Sequence, residues 1–294
     1  MAYATLIAPA DLEPRLTSPE WVVVDCRFAL DRPEHGRHEY ARAHIPGAVY
    51  AHLNEDLSGP IVAGKTGRHP LPDVAEAART FGSLGIANTS QVVAYDDAGG
   101  AIAARLWWML RWLGHERVAV LDGGWQRWCN EGRPTRDGTE TRQAGVFVPH
   151  PRPELIADVA AVTQAANDPA YRVIDSRSAE RYRGAHEPID PVAGHIPGAV
   201  SAPLTENLDA SGSFLSAEQL ADRFGGVLGD VPPDHAIFYC GSGVSAAQNL
   251  LALAHAGLGE GRLYVGSWSE WIADPQRPVA RDYGIQHRAA PGKD

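Results

Sequence analysis

The chain has 294 residues, 44% of them hydrophobic and 21% charged, with a formal net charge of −10, an ordinary globular composition long enough for one large core or two domains. The acidic balance, with no basic run, argues against nucleic-acid binding, and no apolar run approaches the roughly 18 residues of a membrane helix. Three cysteines, Cys26, Cys129 and Cys240, are too few and odd in number for a disulfide framework, and with an N-terminus (MAYATLIAPADLEP) that lacks a basic region they predict a cytoplasmic chain without a signal peptide.

The first β-branched run is VVVD at 22–25, leading into Cys26 and Arg27. HIPGAV at 44–49 reads as a turn, VVAYDD at 92–97 as a second strand, AIAARLWWMLRWLG at 101–114 as a helix that packs Trp107, Trp108 and Trp112, and VAVLD at 118–122 as a third strand before GGWQRW at 123–128. The stretch 134–154, PTRDGTETRQAGVFVPHPRPE, clusters proline and charge without periodicity and reads as a linker. Then the series returns: RVIDSRS at 172–178, HIPGAV at 195–200, AIFYCG at 236–241 and GSWSEW at 266–271. Four blocks in the same order mean two copies of one domain, 1–135 and 154–294, joined by a linker at 136–153. Strands alternating with helical patterns predict βαβ units in each copy, hence an α/β fold with a mainly parallel sheet and helices on both faces.

Features present in both copies read as scaffold. Asp25 and Asp175, each two residues before an arginine, are expected to brace a turn. Gly47 and Gly198 are expected to allow an unusual backbone conformation. His44 and His195 have no second histidine or cysteine at ligand spacing, so no metal site is predicted. Cys26 and Cys129 are expected to behave as small apolar residues.

One feature differs between the copies: aligning Tyr95 with Tyr239 sets Asp96 opposite Cys240. Cys240 ends an apolar strand, where ligands of parallel sheets collect. The residues that follow, Gly241, Ser242, Gly243, Val244, Ser245 and Ala246, can curl into a nest of backbone N–H groups, backed by a helix starting near Ala246. Both effects favour thiolate and lower the thiol pKa from its free value of about 8.5. A buried inert cysteine, the bland alternative, calls for no such loop. No Gly-Lys-Ser/Thr follows, which excludes a P-loop. A cysteine phosphatase wants an arginine six positions on, where Ala246 stands, and the local signature of a papain-type hydrolase is absent. What remains is chemistry at sulfur, in which a thiolate takes up a sulfur atom and passes it on as a persulfide.

DCR and DSR, the two HIPGAV blocks, RYRG at 181–184, CGSGVSA at 240–246 and GSWSEW together resemble the two-domain rhodanese family, from about Trp21 to Val279. The resemblance implies two tandem rhodanese-like domains, the first inactive and the second carrying the persulfide cysteine. It implies a small-molecule sulfur donor and an acceptor that is cyanide, a thiol or a thioredoxin-like protein, with no cofactor, metal, nucleic acid or membrane. Gly241-Ser242 after the cysteine resembles the members that use 3-mercaptopyruvate, whereas those preferring thiosulfate usually have Arg-Lys. In the former a loop serine is linked to a histidine and an aspartate of the first domain; Ser242 and His69 match, and the aspartate position falls on Asn54. Arg181 matches the arginine that grips the donor, while the second such arginine has no counterpart in EPIDPVAG at 187–194, which offers Asp190. Arg105, on the Trp-rich helix, is a candidate for lining the inter-domain cleft, set against a surface ion pair. A non-catalytic binding or redox-sensing module and a thiol reductase stay open as alternatives.

Overall fold

The computed structural model describes residues 2–282 and the backbone of residues 284–286. The chain forms two compact units, each built on a five-stranded sheet. In the first, β1 (Leu6–Ile7), α1 (Pro9–Leu12), β2 (Trp21–Asp25), α2 (His35–Arg42), β3 (Val49–Tyr50), α3 (Val74–Ser83), β4 (Gln91–Tyr95), α4 (Ala103–Trp112), β5 (Val118–Leu121) and α5 (Gly124–Asn130) follow in order. The second repeats the series with β6 (Ile156–Ala157), α6 (Val159–Ala165), β7 (Arg172–Asp175), α7 (Ala179–Arg183), β8 (Val200–Ser201), α8 (Ala217–Leu228), β9 (Ala236–Tyr239), α9 (Ala246–His255), β10 (Arg262–Tyr264) and α10 (Ser267–Trp271). An antiparallel pair, β11 (Val279–Arg281) with β12 (Gly284–Gln286), follows.

Both sheets are wholly parallel and share one strand order, β1-β5-β4-β2-β3 and β6-β10-β9-β7-β8. Parallel neighbours need a crossover, and the helices between strands provide it. Residues 22–24, 92–94 and 236–239 are buried, as strands covered on both faces must be. Among the described residues no helix is long and apolar enough to cross a membrane.

All four repeated sequence blocks meet at one buried guanidinium in each unit. The carboxylate of Asp25 accepts the Arg27 N–H at 3.0 Å and chelates the Arg27 side chain, Nη2 at 2.6 Å. Arg27 Nη2 also donates to the Ala43 carbonyl at 2.7 Å, at the head of the HIPGAV turn. The Tyr95 hydroxyl donates to Asp25 at 2.6 Å, and Trp125 lies under the guanidinium at 4.4 Å. In the second unit Asp175 holds Arg177, with Nη2 at 2.6 Å, Arg177 reaches the Gly194 carbonyl at 2.6 Å, and Trp268 lies 4.7 Å below. The turn-bracing role read for the two aspartates is thus part of a larger knot, and breaking such a buried, bidentate pair costs about 3–5 kcal/mol. Gly47 and Gly198 hold φ of +78° and +81°, which only glycine adopts freely. His44 and His195 each direct Nδ1 at a backbone carbonyl (Tyr40 at 2.8 Å, Tyr182 at 2.7 Å) and stack on that tyrosine's ring.

The units are not contiguous in sequence. The first takes the chain to Gly59, then Leu71–Pro153 and Leu208–Leu215; the second takes Pro60–Pro70, Glu154–Asn207 and the chain from Ser216 onward. Residues 136–153, expected as a linker, run along the first unit: Gly145 N–H donates to the Gly82 carbonyl (2.8 Å), Val148 N–H to Asn88 Oδ1 (2.7 Å) and His150 N–H to the Leu113 carbonyl (2.8 Å). The stretch lacks periodicity because backbone hydrogen bonds, more than an apolar face, fasten it.

Candidate active site

Cys240 directly follows β9, the central strand of its sheet. Its N–H donates to Ser267 Oγ at 3.1 Å, its carbonyl accepts the Trp268 N–H at 3.0 Å, and the Gly241 carbonyl accepts the Ser269 N–H at 2.9 Å. Ser267 has φ +53°, the only residue other than glycine among the described residues in the left-handed region. Strain of that kind persists where neighbouring contacts over-determine the backbone, and here it fixes the start of α10 against the cysteine.

The loop then curls at Gly243, where φ is +74° and a Cβ would lie 2.2 Å from the Val265 carbonyl oxygen. The curl turns the Ser245 hydroxyl and the backbone N–H groups of Ser242, Ala246 and Gly243 onto the Cys240 sulfur, with α9 beginning at Ala246. Burial alone would push this thiol up; the four donors outweigh it, so Cys240 ionises below an ordinary thiol. Cys26 is equally buried, but desolvation and then Asp25, Asp96 and Asp56 hold its thiol well above the usual range. Cys129, expected to be a small apolar residue, is instead exposed, because it falls on the outer face of the short α5. Partial burial still raises its thiol, against a smaller opposing effect of Arg27.

The same nest exists in the first unit, and there it is filled. Asp96, the residue after β4, accepts four backbone hydrogen bonds: Oδ1 from Ala98 (2.9 Å) and Gly100 (2.8 Å), Oδ2 from Ile102 (2.7 Å) and Ala103 (2.7 Å). A carboxylate carried by the chain itself occupies the anion position that the second unit gives to sulfur.

Residues 60–70 complete the surroundings of Cys240. Gly67 packs so closely on α10 that a Cβ would lie 2.3 Å from the Gly266 carbonyl oxygen, and the Arg68 N–H donates to Ser269 Oγ at 3.1 Å. This anchoring brings His69 Nδ1 to 2.7 Å from Ser242 Oγ, with both residues buried. It also lays the Arg68 guanidinium beside that of Arg181: a Cβ on Gly241 would lie 2.8 Å from Arg68 Nη2 and 3.4 Å from Arg181 Nη2. Asp190 joins the two, pairing with Arg68 through one oxygen and with Arg181 through the other at 2.9 Å. Glu187 chelates Arg181 Nε at 2.9 and 3.1 Å and reaches Arg177 at 3.2 Å, and Arg177 holds Asp175. Burial pushes the Asp190 carboxyl up against the pull of Arg68. Burial also pushes Glu187 up, but Arg181 and the N–H groups of Asp190 and Ile189 bring it below the usual carboxylate range.

The sequence profile of the rhodanese-like domain matches residues 8–131 and 158–274. The chain belongs to the rhodanese family. It is 48% identical over 281 residues to a probable 3-mercaptopyruvate sulfurtransferase of Pseudomonas aeruginosa, covering 95% of this chain and 99% of that one. It is 39% identical over 285 residues to a putative thiosulfate sulfurtransferase of Mycobacterium tuberculosis, covering 94% and 96%. The crystal structure of the Escherichia coli 3-mercaptopyruvate sulfurtransferase superposes with a TM-score of 0.78 at 32% identity, covering 91% of this chain and all of that one.

Within this rhodanese chain the loop residues Ser242, Gly243, Ser245 and Ala246 turn donors onto the Cys240 sulfur, with His69 held on Ser242 and Arg181 beside Gly241. Val244 is buried in the same loop, its carbonyl accepting the Ala247 N–H at 3.2 Å. His69, although it lies in the first half of the sequence, belongs to the second unit. Arg105 belongs to the first unit and has no exposed surface, and its guanidinium faces the Leu57 carbonyl at 3.3 and 3.4 Å. That corrects one expectation for it, since a fully enclosed guanidinium makes no surface ion pair. Asn54 is exposed in the first unit, and its N–H donates to His52 Nδ1 at 3.2 Å. Nearby Glu34, His52 and Glu55 could offer metal ligands, but His52 Nδ1 already accepts two backbone N–H groups and both carboxylates pair with Arg37. Sequence reasoning missed Arg68 and Glu187. Adjacency to His69 was the available signal for Arg68: a segment that carries one residue to the sulfur carries its neighbour there too.

Proposed function

We propose that the chain is a rhodanese-type sulfurtransferase in which Cys240 carries the transferred sulfur as a persulfide, with 3-mercaptopyruvate as preferred donor and thiosulfate as a second. The observation that carries this reading is the pair of matched nests, one closed by Asp96 and the other open to the Cys240 sulfur. An anion cradle built around a thiolate also holds the terminal sulfur of a persulfide. The names borne by relatives over nearly the whole chain point the same way.

In the proposed cycle the Cys240 thiolate attacks the sulfur of 3-mercaptopyruvate. The new S–S bond forms as the donor's C–S bond breaks, and that electron pair leaves as pyruvate enolate. Ser242, sharing a proton with His69, delivers it to the enolate; the persulfide, stronger in acidity than the donor thiol, supplies the proton in balance. With thiosulfate the leaving group is sulfite and no proton is needed. A cyanide or thiolate acceptor then attacks the outer sulfur and returns Cys240 as thiolate. Arg68 and Arg181 grip the donor's anionic end, and the backbone N–H groups of Ser242, Gly243 and Ala246 hold each sulfur anion. The first unit is inactive because its nest has no thiol. The cycle calls for neither metal nor cofactor. Three unpaired cysteines suit a reducing compartment, which we take to be the cytoplasm, where a small thiol or a thioredoxin-like protein would serve as acceptor.

Intact-mass measurement tests this. Brief exposure to 3-mercaptopyruvate should add one sulfur atom, cyanide should remove it, and Cys240→Ser should abolish the gain while Cys26→Ser retains it. Absence of any adduct with either donor would overturn the reading in favour of a binding module.

A further inference from the structure

Six buried or half-buried charges alternate in sign from the sheet to the sulfur: Asp175, Arg177, Glu187, Arg181, Asp190 and Arg68. Three negative and three positive groups cancel, so the two guanidiniums over Gly241 present little net positive field. Asp190 completes the cancellation. Its side chain is 2% exposed, and each of its oxygens is taken by one of the two arginines.

We infer that Asp190 is a specificity-setting positioning residue, a resident carboxylate on the Arg68–Arg181 pair that selects monoanionic sulfur donors against dianionic ones. The inference rests on the sulfurtransferase reading above. 3-Mercaptopyruvate brings one carboxylate, and two guanidiniums already shared with Asp190 keep enough donor capacity to hold it. Thiosulfate brings a second negative charge into a cluster that has no positive charge left over. Its added repulsion from Asp190 is an interaction of unit charges within about 8 Å at an effective dielectric near 20, which is worth at least roughly tenfold. Glu187 does not serve the same end, because its charge is spent on Arg181 Nε and Arg177, farther along the ladder.

The test compares kcat/KM for both donors, with cyanide as acceptor, in the wild type, Asp190→Asn and Asp190→Glu. Asp190→Asn should raise the thiosulfate-to-mercaptopyruvate ratio by roughly tenfold or more, about 1.4 kcal/mol, and Asp190→Glu should keep the wild-type ratio. Sulfate, a dianion that donates no sulfur, should inhibit Asp190→Asn more tightly than wild type, whereas inhibition by pyruvate should change little. A merely structural role for Asp190 would lower both donors together and leave both ratios in place, and that result overturns the inference. If Asp190→Asn does not fold, Arg68→Gln removes the opposing charge instead and must lower the ratio; an unchanged or higher ratio refutes the idea. Failure of the underlying reading looks different, since the wild type itself would then move no sulfur from either donor.

Discussion

The Asp96 nest offers a direct measure of what the shared loop requires. Asp96→Ala removes the acceptor of four backbone N–H groups at 2.7–2.9 Å in a residue that is 1% exposed. A buried donor left unsatisfied costs about 1–3 kcal/mol, and a water entering the vacated polar space recovers part of that. The net loss should be about 3–5 kcal/mol, the upper end for single substitutions. Asp96→Asn keeps one accepting oxygen but turns an NH2 toward the other two N–H groups, so it should fall between. Urea unfolding followed by tryptophan fluorescence reads the loss, because six of the eight tryptophans (Trp21, Trp107, Trp108, Trp112, Trp125 and Trp128) lie in the first unit. Asp96→Cys supplies the second half of the experiment. In a chain whose other cysteines are serine, the new thiol should ionise below an ordinary thiol, since the same donors now face sulfur. Stability of Asp96→Ala within about 1 kcal/mol of wild type, or an Asp96→Cys thiol titrating at or above the usual value, would refute the equivalence of the two loops.

Three further outcomes are expected. Gly243→Ala and Gly257→Ala share a left-handed backbone (φ +74° and +73°), but only the former sets a Cβ against backbone, 2.2 Å from the Val265 oxygen, while the latter meets nothing within 4 Å; thermal melting should show about 1–2 kcal/mol for Gly257→Ala and a clearly larger loss, with the low thiol pKa gone, for Gly243→Ala. The rate of iodoacetamide alkylation against pH should give Cys240 a midpoint below, and the exposed Cys129 a midpoint above, that of a free thiol at about 8.5, and Ser245→Ala should move the Cys240 midpoint up; coincident midpoints would contradict the nest. Gly241→Ala places its Cβ 2.8 Å from the far end of Arg68, and its three nearest neighbours are all guanidinium nitrogens, so stability should hold within about 0.5 kcal/mol while KM for the donor rises severalfold and the sulfur adduct still forms.

The duplication, the parallel α/β sheets and the Asp96–Cys240 contrast were legible in sequence because each depends on local pattern: β-branched runs, repeated motifs, and one residue changed between otherwise matching blocks. The nest followed from glycines and hydroxyls at a strand end, and its curl at Gly243 is where the backbone demanded it. What escaped was long-range. Residues 60–70 carry no strand or helix pattern, and it takes the fit of Gly67 on Gly266 with the contacts of Arg68 to Ser269 and of His69 to Ser242 to show that this segment serves the second unit. In place of an arginine within 187–194 the structure sets Arg68 beside Arg181, from a segment more than a hundred residues away, and Asp190 bridges the two. The surface ion pair expected of Arg105 failed because the Leu57 carbonyl accepts its guanidinium N–H groups inside the first unit.

The knot of Asp25, Arg27, Tyr95 and Trp125, and its copy around Arg177, explains why only the loop was free to diverge. These groups tie all four repeated blocks together without using the side chain of the residue after the central strand, whose backbone carbonyl accepts the Trp125 or Trp268 N–H in either unit. That side chain gives the converging N–H groups an anion. Aspartate does so with a carboxylate that accepts four backbone N–H groups. A neutral cysteine thiol is a weak acceptor and does so only when ionised, so the free energy that draws the Cys240 pKa down is also folding free energy. With the folded value depressed, this contribution is complete above the unfolded thiol's pKa and is lost as pH falls through the folded one. In the proposed cycle the open nest favours whichever sulfur anion Cys240 bears, thiolate before attack and persulfide after it, using the donors that Asp96 satisfies in the first unit.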